Sequence, residues 1–466
     1  MIQNKAYFDH NDLTVLFGES QTFGIPKEKR FVGVSIDSRA ITPGNIFVAI
    51  EGENIDGHTK IDHAFENGAA LAIAVMDKYN NTSGKPVIFV KDTTEALGKL
   101  GNHHRRRFDY PIIAIAGSNG KTTTKEISAH LLSQRYNVLK TYKNYNNQFG
   151  TPLVLLQMTR EHDMAIIELG TNQPGEITLL SEMAEPTHGL ITNIGKEHLE
   201  HLENIDGVEL EETSLFSHLI RNNGLIFLNM DDLRLRKYSR VINKLFSYGN
   251  HEDFNLKASV KVDDNFMPEL TFNYNNRDLK VKMNEPGIIM GLNAIAASAL
   301  AFHFGLETDE IKTGLESFEN PKLGSYGRLL IEKAGDIKII NDTYNANPES
   351  MEKAIEALVS IPVKGKRYCL LADMLELGTF SQIEHVDLLR SLSETPLEVL
   401  LYGNEMKKAF ANISGKKNIT FFEEKDDLTK EILDLLKPGD IVLAKGSRGM
   451  KMEETVDAIK NKFQDK

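Results

Sequence analysis

The rhythm of apolar and polar positions changes character twice along the chain. In the first hundred residues, β-rich runs at 31–36, 45–50, 69–75 and 86–90 alternate with helical stretches such as 61–68. That alternation predicts a small α/β unit with a mixed or parallel sheet. Five consecutive apolar residues at 112–116 then predict a strand buried on both faces. A glycine loop and a helix over 121–135 follow, with further strands at 164–168, 189–193 and 224–229. Strict alternation within 254–283 predicts antiparallel hairpins, and the alanine-rich stretch 291–304 predicts a helix. Beyond residue 320, strands at 338–341, 368–372, 399–402 and 441–445 alternate with helices at 348–359, 383–392, 427–436 and 453–462. This is a doubly wound, Rossmann-like pattern. The expected fold class is therefore α/β in three domains, at 1–107, 108–319 and 320–466. The 466 residues agree, at ~100–200 residues per domain.

Composition narrows the function. With 41% apolar and 26% charged residues the chain is globular rather than disordered or collagen-like. A net charge of −12 argues against a general nucleic-acid binder, while leaving room for a locally built anion site. The single cysteine, Cys369, excludes an internal disulfide or a cysteine-based zinc site. Acidic residues within the first twenty positions and the absence of any apolar run near ~18 residues predict a cytoplasmic chain without a membrane span. The basic string 103–107 reads either as a phosphate patch or, preferably, as a solvated helix end.

The chemistry concentrates at strand ends. Gly117-Ser118-Asn119-Gly120-Lys121-Thr122-Thr123 follows a buried strand and opens a helix, which is the context of a phosphate loop. Its glycines let backbone N–H groups approach phosphate oxygens, Lys121 reaches the outer phosphates, and the Thr122 hydroxyl suits Mg²⁺. Only two residues separate Gly117 from Gly120, where the generic loop has four before Gly-Lys. Asn146 and Asn147, in an asparagine-rich stretch, suit peptide or sugar amides, although a plain polar loop reads equally well. Glu168 ends a buried strand, a place from which a carboxylate can hold Mg²⁺. His198 follows the next strand, with a metal, phosphate or structural role open. Asp342, Asp373 and the segment Lys445-Gly-Ser447-Arg448 repeat the strand-end geometry, Asp342 being suited to a ribose hydroxyl.

Together these residues resemble the Mur ligases, the ATP-dependent amide-forming enzymes of peptidoglycan synthesis, and the resemblance covers essentially the whole chain. Ser35-Ile-Asp37-Ser38-Arg39, Pro43–Ala49 and Asp56-Gly-His58 are similar to the family's UDP-binding domain. Ala116–Glu126 is similar to the family's own shorter phosphate loop. Asn144–Leu153, Glu168-Leu-Gly, Asp342–Met351, Asp373–Gly378 and Lys445–Arg448 resemble the branch that adds D-alanyl-D-alanine, and the Asp-Asn-Pro-Arg motif of the diaminopimelate-adding branch is absent. The resemblance implies ATP and Mg²⁺ as cofactors, and UDP-N-acetylmuramoyl-tripeptide and D-alanyl-D-alanine as the molecules joined by a monomer. It assigns Lys121, Thr122, Glu168 and His198 to phosphates and metal, Asn293 and Arg328 to the nucleotide, and Asp342 to its ribose. Ser35, Asp37, Ser38, Arg39, Asn146 and Asn147 fall to the UDP-substrate, and Tyr344, Asn345, Lys445, Ser447 and Arg448 to the C-terminal side of the site. Two positions depart from the family. Its carbamylated lysine corresponds to Glu212, in Glu212-Thr-Ser-Leu-Phe216, so Glu212 is expected to supply that anion without modification. The histidine of its Gly-x-His-Asn motif corresponds to Leu292, before Asn293. A ligase with another amine acceptor, or a nucleotide-binding protein without ligase activity, remain as alternative readings.

Overall fold

The computed structural model describes residues 3–22, 24–52, 55–81, 84–263, 267–321, 330–414 and 417–464. Among them, three α/β layers follow one another along the chain. The first holds four parallel strands in sequence order, Val34–Ser35, Ile46–Val48, Leu71–Val75 and Val87–Val90. A two-stranded antiparallel ribbon, Tyr7–Phe8 with Phe31–Val32, flanks it.

The central sheet has nine strands. Ile112–Ala116 lies between His188–Ile191 and Met164–Glu168, with Val138–Lys140 at one edge. On the other side run Leu225–Asn229, Leu245–Gly249, Leu256–Val262, Pro268–Tyr274 and Arg277–Lys282. The hairpins expected from alternation are therefore present, and they extend the same sheet rather than forming a separate one. Only the last two strands run antiparallel to their neighbours. Ile112–Ala116 is buried throughout, and its alternate residues serve two cores. Ile112, Ala114 and Ala116 pack with Ile177, Leu180 and Leu215 on one face. Ile113 and Ile115 pack with Ile127, Leu131 and the alanine-rich helix Ile288–His303 on the other. Burial on both faces is what a continuous apolar strand requires.

The third sheet runs in the order Leu330–Ala334, Ile337–Asp342, Ile441–Lys445, Arg367–Ala372, Glu398–Tyr402 and Ile419–Phe422, antiparallel only at its first strand. The edge strands Leu330–Ala334 and Ile419–Phe422 and the helix Asn404–Ala411 escape the periodicity reading, being short or weakly patterned. The cores are continuous across the layers. Leu153 and Leu156 join the first cluster, and Ile340, Met351 and Leu371 belong to the cluster under the central sheet.

The basic string is not a solvated end. Arg105 donates to the carbonyls of Ala184 and Glu185 at 2.8 and 2.7 Å, and Arg106 pairs with the Glu185 carboxylate. Arg107 and His103 both reach Asp12, at 2.7 and 2.8 Å. His104 is buried against the Met158 carbonyl at 2.9 Å, and burial pushes its pKa down to about 4. His104, Arg105 and Arg106 thus tie the first layer to the second, while His103 and Arg107 brace the first from within.

Candidate active site

The loop after Ile112–Ala116 is held from behind. Gly117 has φ +113, and a Cβ there would lie 2.4 Å from Thr192 Oγ1. Gly120 has φ +83, and a Cβ would fall 2.2 Å from Asn293 Oδ1. Both positions therefore demand glycine, for conformation and for space. The Ser118 hydroxyl bridges the carbonyl and N–H of Gly195 at 3.1 and 2.8 Å, and Thr192 donates to the Asn119 carbonyl at 2.7 Å. The helix Lys121–Leu132 starts directly after the loop, so its free N–H groups and dipole face the cavity.

One carboxylate and one hydroxyl converge beside this helix start. Thr122 Oγ1 donates to Glu168 Oε1 at 3.1 Å, and Asn146 Nδ2 donates to the same oxygen at 2.8 Å. Glu168 Oε2 is buried without a hydrogen bond, 3.3 Å from the fully buried ammonium of Lys125. A carboxylate next to a threonine hydroxyl, with room for phosphates, is an oxygen donor set suited to Mg²⁺ once Oε2 exchanges its ion pair with Lys125 for the metal. Among the described residues, no group of three or more His, Cys, Asp or Glu side chains is placed to hold a metal ion unaided. Phosphate oxygens and water would have to complete the coordination.

Lys121 folds onto its own loop, donating to the Gly117 carbonyl, and its ammonium lies 3.6 Å from Glu197 Oε2. Glu212 lies behind the loop. It is fully buried, and its Oε2 accepts from Gly117 N–H at 2.6 Å. Burial, partly offset by Lys121 and reinforced by the facing Glu197 carboxylate, pushes Glu212 up to about 8. Oε1 of Glu197 and Oε1 of Glu212 are both buried without a hydrogen bond. Glu212 is thus neither a solvated helix residue nor a wall of the cavity, because one oxygen is committed to the loop backbone. His198 Nδ1 lies 2.7 Å from Glu376 Oε2.

The other wall comes from the third layer. Asp342 and Lys445 end adjacent parallel strands, with Nζ and Oδ2 2.5 Å apart. Lys445 also donates to the Asn345 carbonyl at 2.9 Å. Across the gap, Asn119 of the loop accepts from Asn347 Nδ2 at 3.1 Å and approaches Glu349 Oε2 at 3.4 Å. A cavity of about 280 Å³ is lined by Ser118–Thr123, Asn146, Glu168, Glu197, His198, Asn293, Asp342, Tyr344, Asn345, Glu349, Glu376 and Lys445, among others. Sequence reading overlooked Glu197 and Glu349. Glu197 adjoins the singled-out His198 and Glu349 falls within Asp342–Met351, but nothing local marks a carboxylate as facing another domain.

Other expected residues lie elsewhere. Asn147 Oδ1 accepts from the N–H groups of Phe149 and Gly150, which fixes its own turn. Ser447 is buried outside the cavity lining, accepting from Leu375 N–H at 2.8 Å, and so braces the strand-end loops. Arg448 is exposed, 5.6 Å over the Tyr344 ring. Ser35, Asp37, Ser38 and Arg39 sit together in the first layer, away from the cavity. Arg39 grips Asp37 through two 2.9 Å hydrogen bonds, which hold the Asp37 carboxyl below its ordinary range. Ser35 donates to the Asp37 carbonyl, and Ser38 meets His63. Arg328 lies outside the described residues.

A phosphate loop closed over by the strand ends of a second doubly wound layer defines a nucleotide-using enzyme whose cavity is built from two domains. The chain belongs to the Mur ligase family. Its models match as the Mur ligase middle domain at residues 115–301, the Mur ligase glutamate ligase domain at 327–448, and the Mur ligase family catalytic domain at 30–105. Two relatives are named UDP-N-acetylmuramoyl-tripeptide--D-alanyl-D-alanine ligase. That of Bacillus subtilis is 32% identical, covering 91% of this chain and 92% of its own. That of Escherichia coli is 32% identical over 96% of both. MurF from Acinetobacter baumannii superposes with a TM-score of 0.87 at 28% identity, over 98% of this chain and 100% of that one. MurF ligase from Thermotoga maritima, solved in complex with ADP, gives 0.81 at 26%, over 92% and 97%.

Proposed function

We propose that this chain joins D-alanyl-D-alanine to UDP-N-acetylmuramoyl-tripeptide at the expense of ATP, as a cytoplasmic monomer making peptidoglycan precursor. The observation that carries the reading is the single cavity shared by Lys121 of the phosphate loop and the Asp342–Lys445 pair. The D-alanyl-D-alanine-adding relatives, which match more than nine-tenths of the chain, supply the choice of substrates.

A carboxylate is a poor electrophile at neutral pH. Transfer of the ATP γ-phosphoryl group to the tripeptide's terminal carboxylate yields ADP and an acyl phosphate. The dipeptide amine then attacks the acyl carbon, loses a proton, and expels phosphate as the amide forms. The backbone N–H groups of Gly120–Thr123 and the Lys121 ammonium offset the charge moving between oxygens. Thr122 and Glu168 would hold Mg²⁺, which when bound neutralises phosphate charge, and His198 lines the same cavity. Lys125 lies 3.3 Å from Glu168 Oε2, the oxygen that faces away from the Thr122 hydrogen bond. Glu212 acts through the loop backbone and through Glu197, which reaches the cavity in its place. Asn293 and Arg328 serve the nucleotide, Asp342 its ribose, and Asn146, Tyr344, Asn345 and Arg448 the joined substrates, while Asn147 and Ser447 hold the loops beside them. Ser35, Asp37, Ser38 and Arg39 receive the UDP moiety. No side-chain nucleophile is needed, and burial pushes the Cys369 thiol far above its ordinary range.

The test is ADP and phosphate release with UDP-muramoyl-tripeptide, in its lysine and diaminopimelate forms, with and without D-alanyl-D-alanine. Release that requires both substrates supports the reading. Activity only with a different amine, or nucleotide binding with no acceptor-dependent turnover, overturns it.

A further inference from the structure

We propose that Glu376, carried by the third layer, is a positioning residue for His198 of the second. It fixes the imidazole so that Nδ1 carries the proton and Nε2 presents its lone pair to the cavity. The proposal rests on the reading of that cavity as the place of phosphoryl transfer.

Three observations support it. The first is the contact itself, Glu376 Oε2 to His198 Nδ1 at 2.7 Å, with the His198 side chain only 15% exposed. An ionised carboxylate can only accept, so Nδ1 must donate, and a ring carrying one proton then has Nε2 as its acceptor. Glu376 is held below its ordinary carboxyl range, chiefly by this hydrogen bond.

The second is backbone conformation. His198 has φ +47 and Glu376 φ +67, both in the left-handed region although neither is glycine. Such positions cost free energy and persist where the surroundings over-determine them, often at functional sites. Here two of them, from different layers, meet side chain to side chain.

The third is how the two segments are brought together. Glu376 also accepts, through its carbonyl, from Glu200 N–H at 3.1 Å. A Cβ on Gly378 would lie 2.8 Å from Glu200 Cα, so the approach needs glycine. Lys196 pairs with Glu384 at 2.5 Å alongside. The segment 376–384 therefore docks on 196–200 as a unit, and separating the layers would free the ring. Nε2 looks the other way, with Glu197 Oε2 at 3.9 Å, and that carboxylate stands 3.6 Å from the Lys121 ammonium. Closure of the third layer thus sets which nitrogen of a second-layer histidine faces the phosphates.

The experiment compares Glu376→Ala, Glu376→Gln and Lys196→Met with the parent. Lys196→Met removes a neighbouring cross-layer ion pair while leaving the His198–Glu376 contact in place. The first readout is the pair of ring ¹⁵N shifts of His198 in histidine-labelled enzyme saturated with a non-hydrolysable ATP analogue, assigned with His198→Asn. The second is kcat against KM for ATP. The parent should show the Nδ1–H tautomer. Glu376→Ala should show mixed tautomers and a kcat lower by roughly 10–100-fold, with KM for ATP little changed. Glu376→Gln, whose amide oxygen still accepts, should recover the tautomer and much of kcat. Lys196→Met should resemble the parent in both readouts. A doubly protonated ring in the parent overturns the proposal. So does an unchanged tautomer in Glu376→Ala, or a kcat loss in Lys196→Met equal to that in Glu376→Ala. The ring shifts need no amine acceptor and no turnover, so an error in the assigned substrates leaves them readable.

Discussion

Replacing Glu212 by glutamine keeps an oxygen for the Gly117 N–H and removes an ionisable carboxyl from beneath the phosphate loop. The carboxyl is fully buried opposite Glu197, and its pKa is raised from 4.5 to about 8. An acid with a raised folded-state pKa binds more protons folded than unfolded. Its favourable contribution is complete below pH 4.5 and is lost as pH rises to about 8. At about 1.4 kcal/mol per unit, the loss at pH 7 is on the order of 3 kcal/mol. Glutamine cannot ionise, so Glu212→Gln should stabilise the free protein at pH 7 by about that amount. The gain should be small at pH 5, grow through neutrality and level off above pH 8. For a domain of this size, ~2–4 °C of melting temperature accompany each kcal/mol. The assay is unfolding of nucleotide-free protein in EDTA at several pH values, alongside kcat and a Mg²⁺ titration. The variant should melt higher, turn over more slowly and need more Mg²⁺, while removing bicarbonate leaves the parent's rate unchanged. A stability difference independent of pH, or a Mg²⁺ titration identical to the parent's, would refute the argument that a buried ionisable carboxyl is kept for function at the cost of stability.

Lys121→Ala should fold normally, as judged by circular dichroism, yet lose about 10²–10³ in turnover, because its ammonium matters most as charge moves between phosphates; near-normal turnover would remove the phosphate-loop assignment. Asp37→Ala or Arg39→Ala should raise KM for the UDP-substrate more than for ATP, since both lie in the first layer away from the cavity; an equal or larger effect on ATP would contradict that division. His104, depressed from 6.5 to about 4 by burial, binds fewer protons folded than unfolded, so its neutral packing should cost about 2 kcal/mol of stability at pH 5 relative to pH 8. Urea unfolding at the two pH values should show part of the acid sensitivity disappear in His104→Gln.

The strand Ile112–Ala116, the loop Gly117–Gly120 and the helix that follows were legible because every signal they carry is local. These are a continuous apolar run, glycines at forced conformations and a lysine at the helix start. Glu168 and Asp342 were legible for the related reason that a polar residue ending a buried strand has one crevice to face. The functions of Asn147 and Ser447 were not, because a side chain that fits a substrate fits a backbone turn equally well. Elements as short as Tyr7–Phe8 and Val138–Lys140 fell below the length at which a period can be recognised.

The amino-acid sequence alone determined the α/β class, the order of the three layers, the phosphate loop and the family resemblance. Each depends on periodicity or on residues within one turn of chain. Only the tertiary structure decided that the 256–282 hairpins extend the central sheet and that 103–107 fastens two layers together. It alone buried Glu212 behind the loop with Glu197 between it and the cavity, and brought Glu376 onto His198. Those outcomes depend on which charges are desolvated and which residues far apart in sequence become neighbours. Desolvation and long-range contact are properties of the packed chain, and no local pattern encodes them.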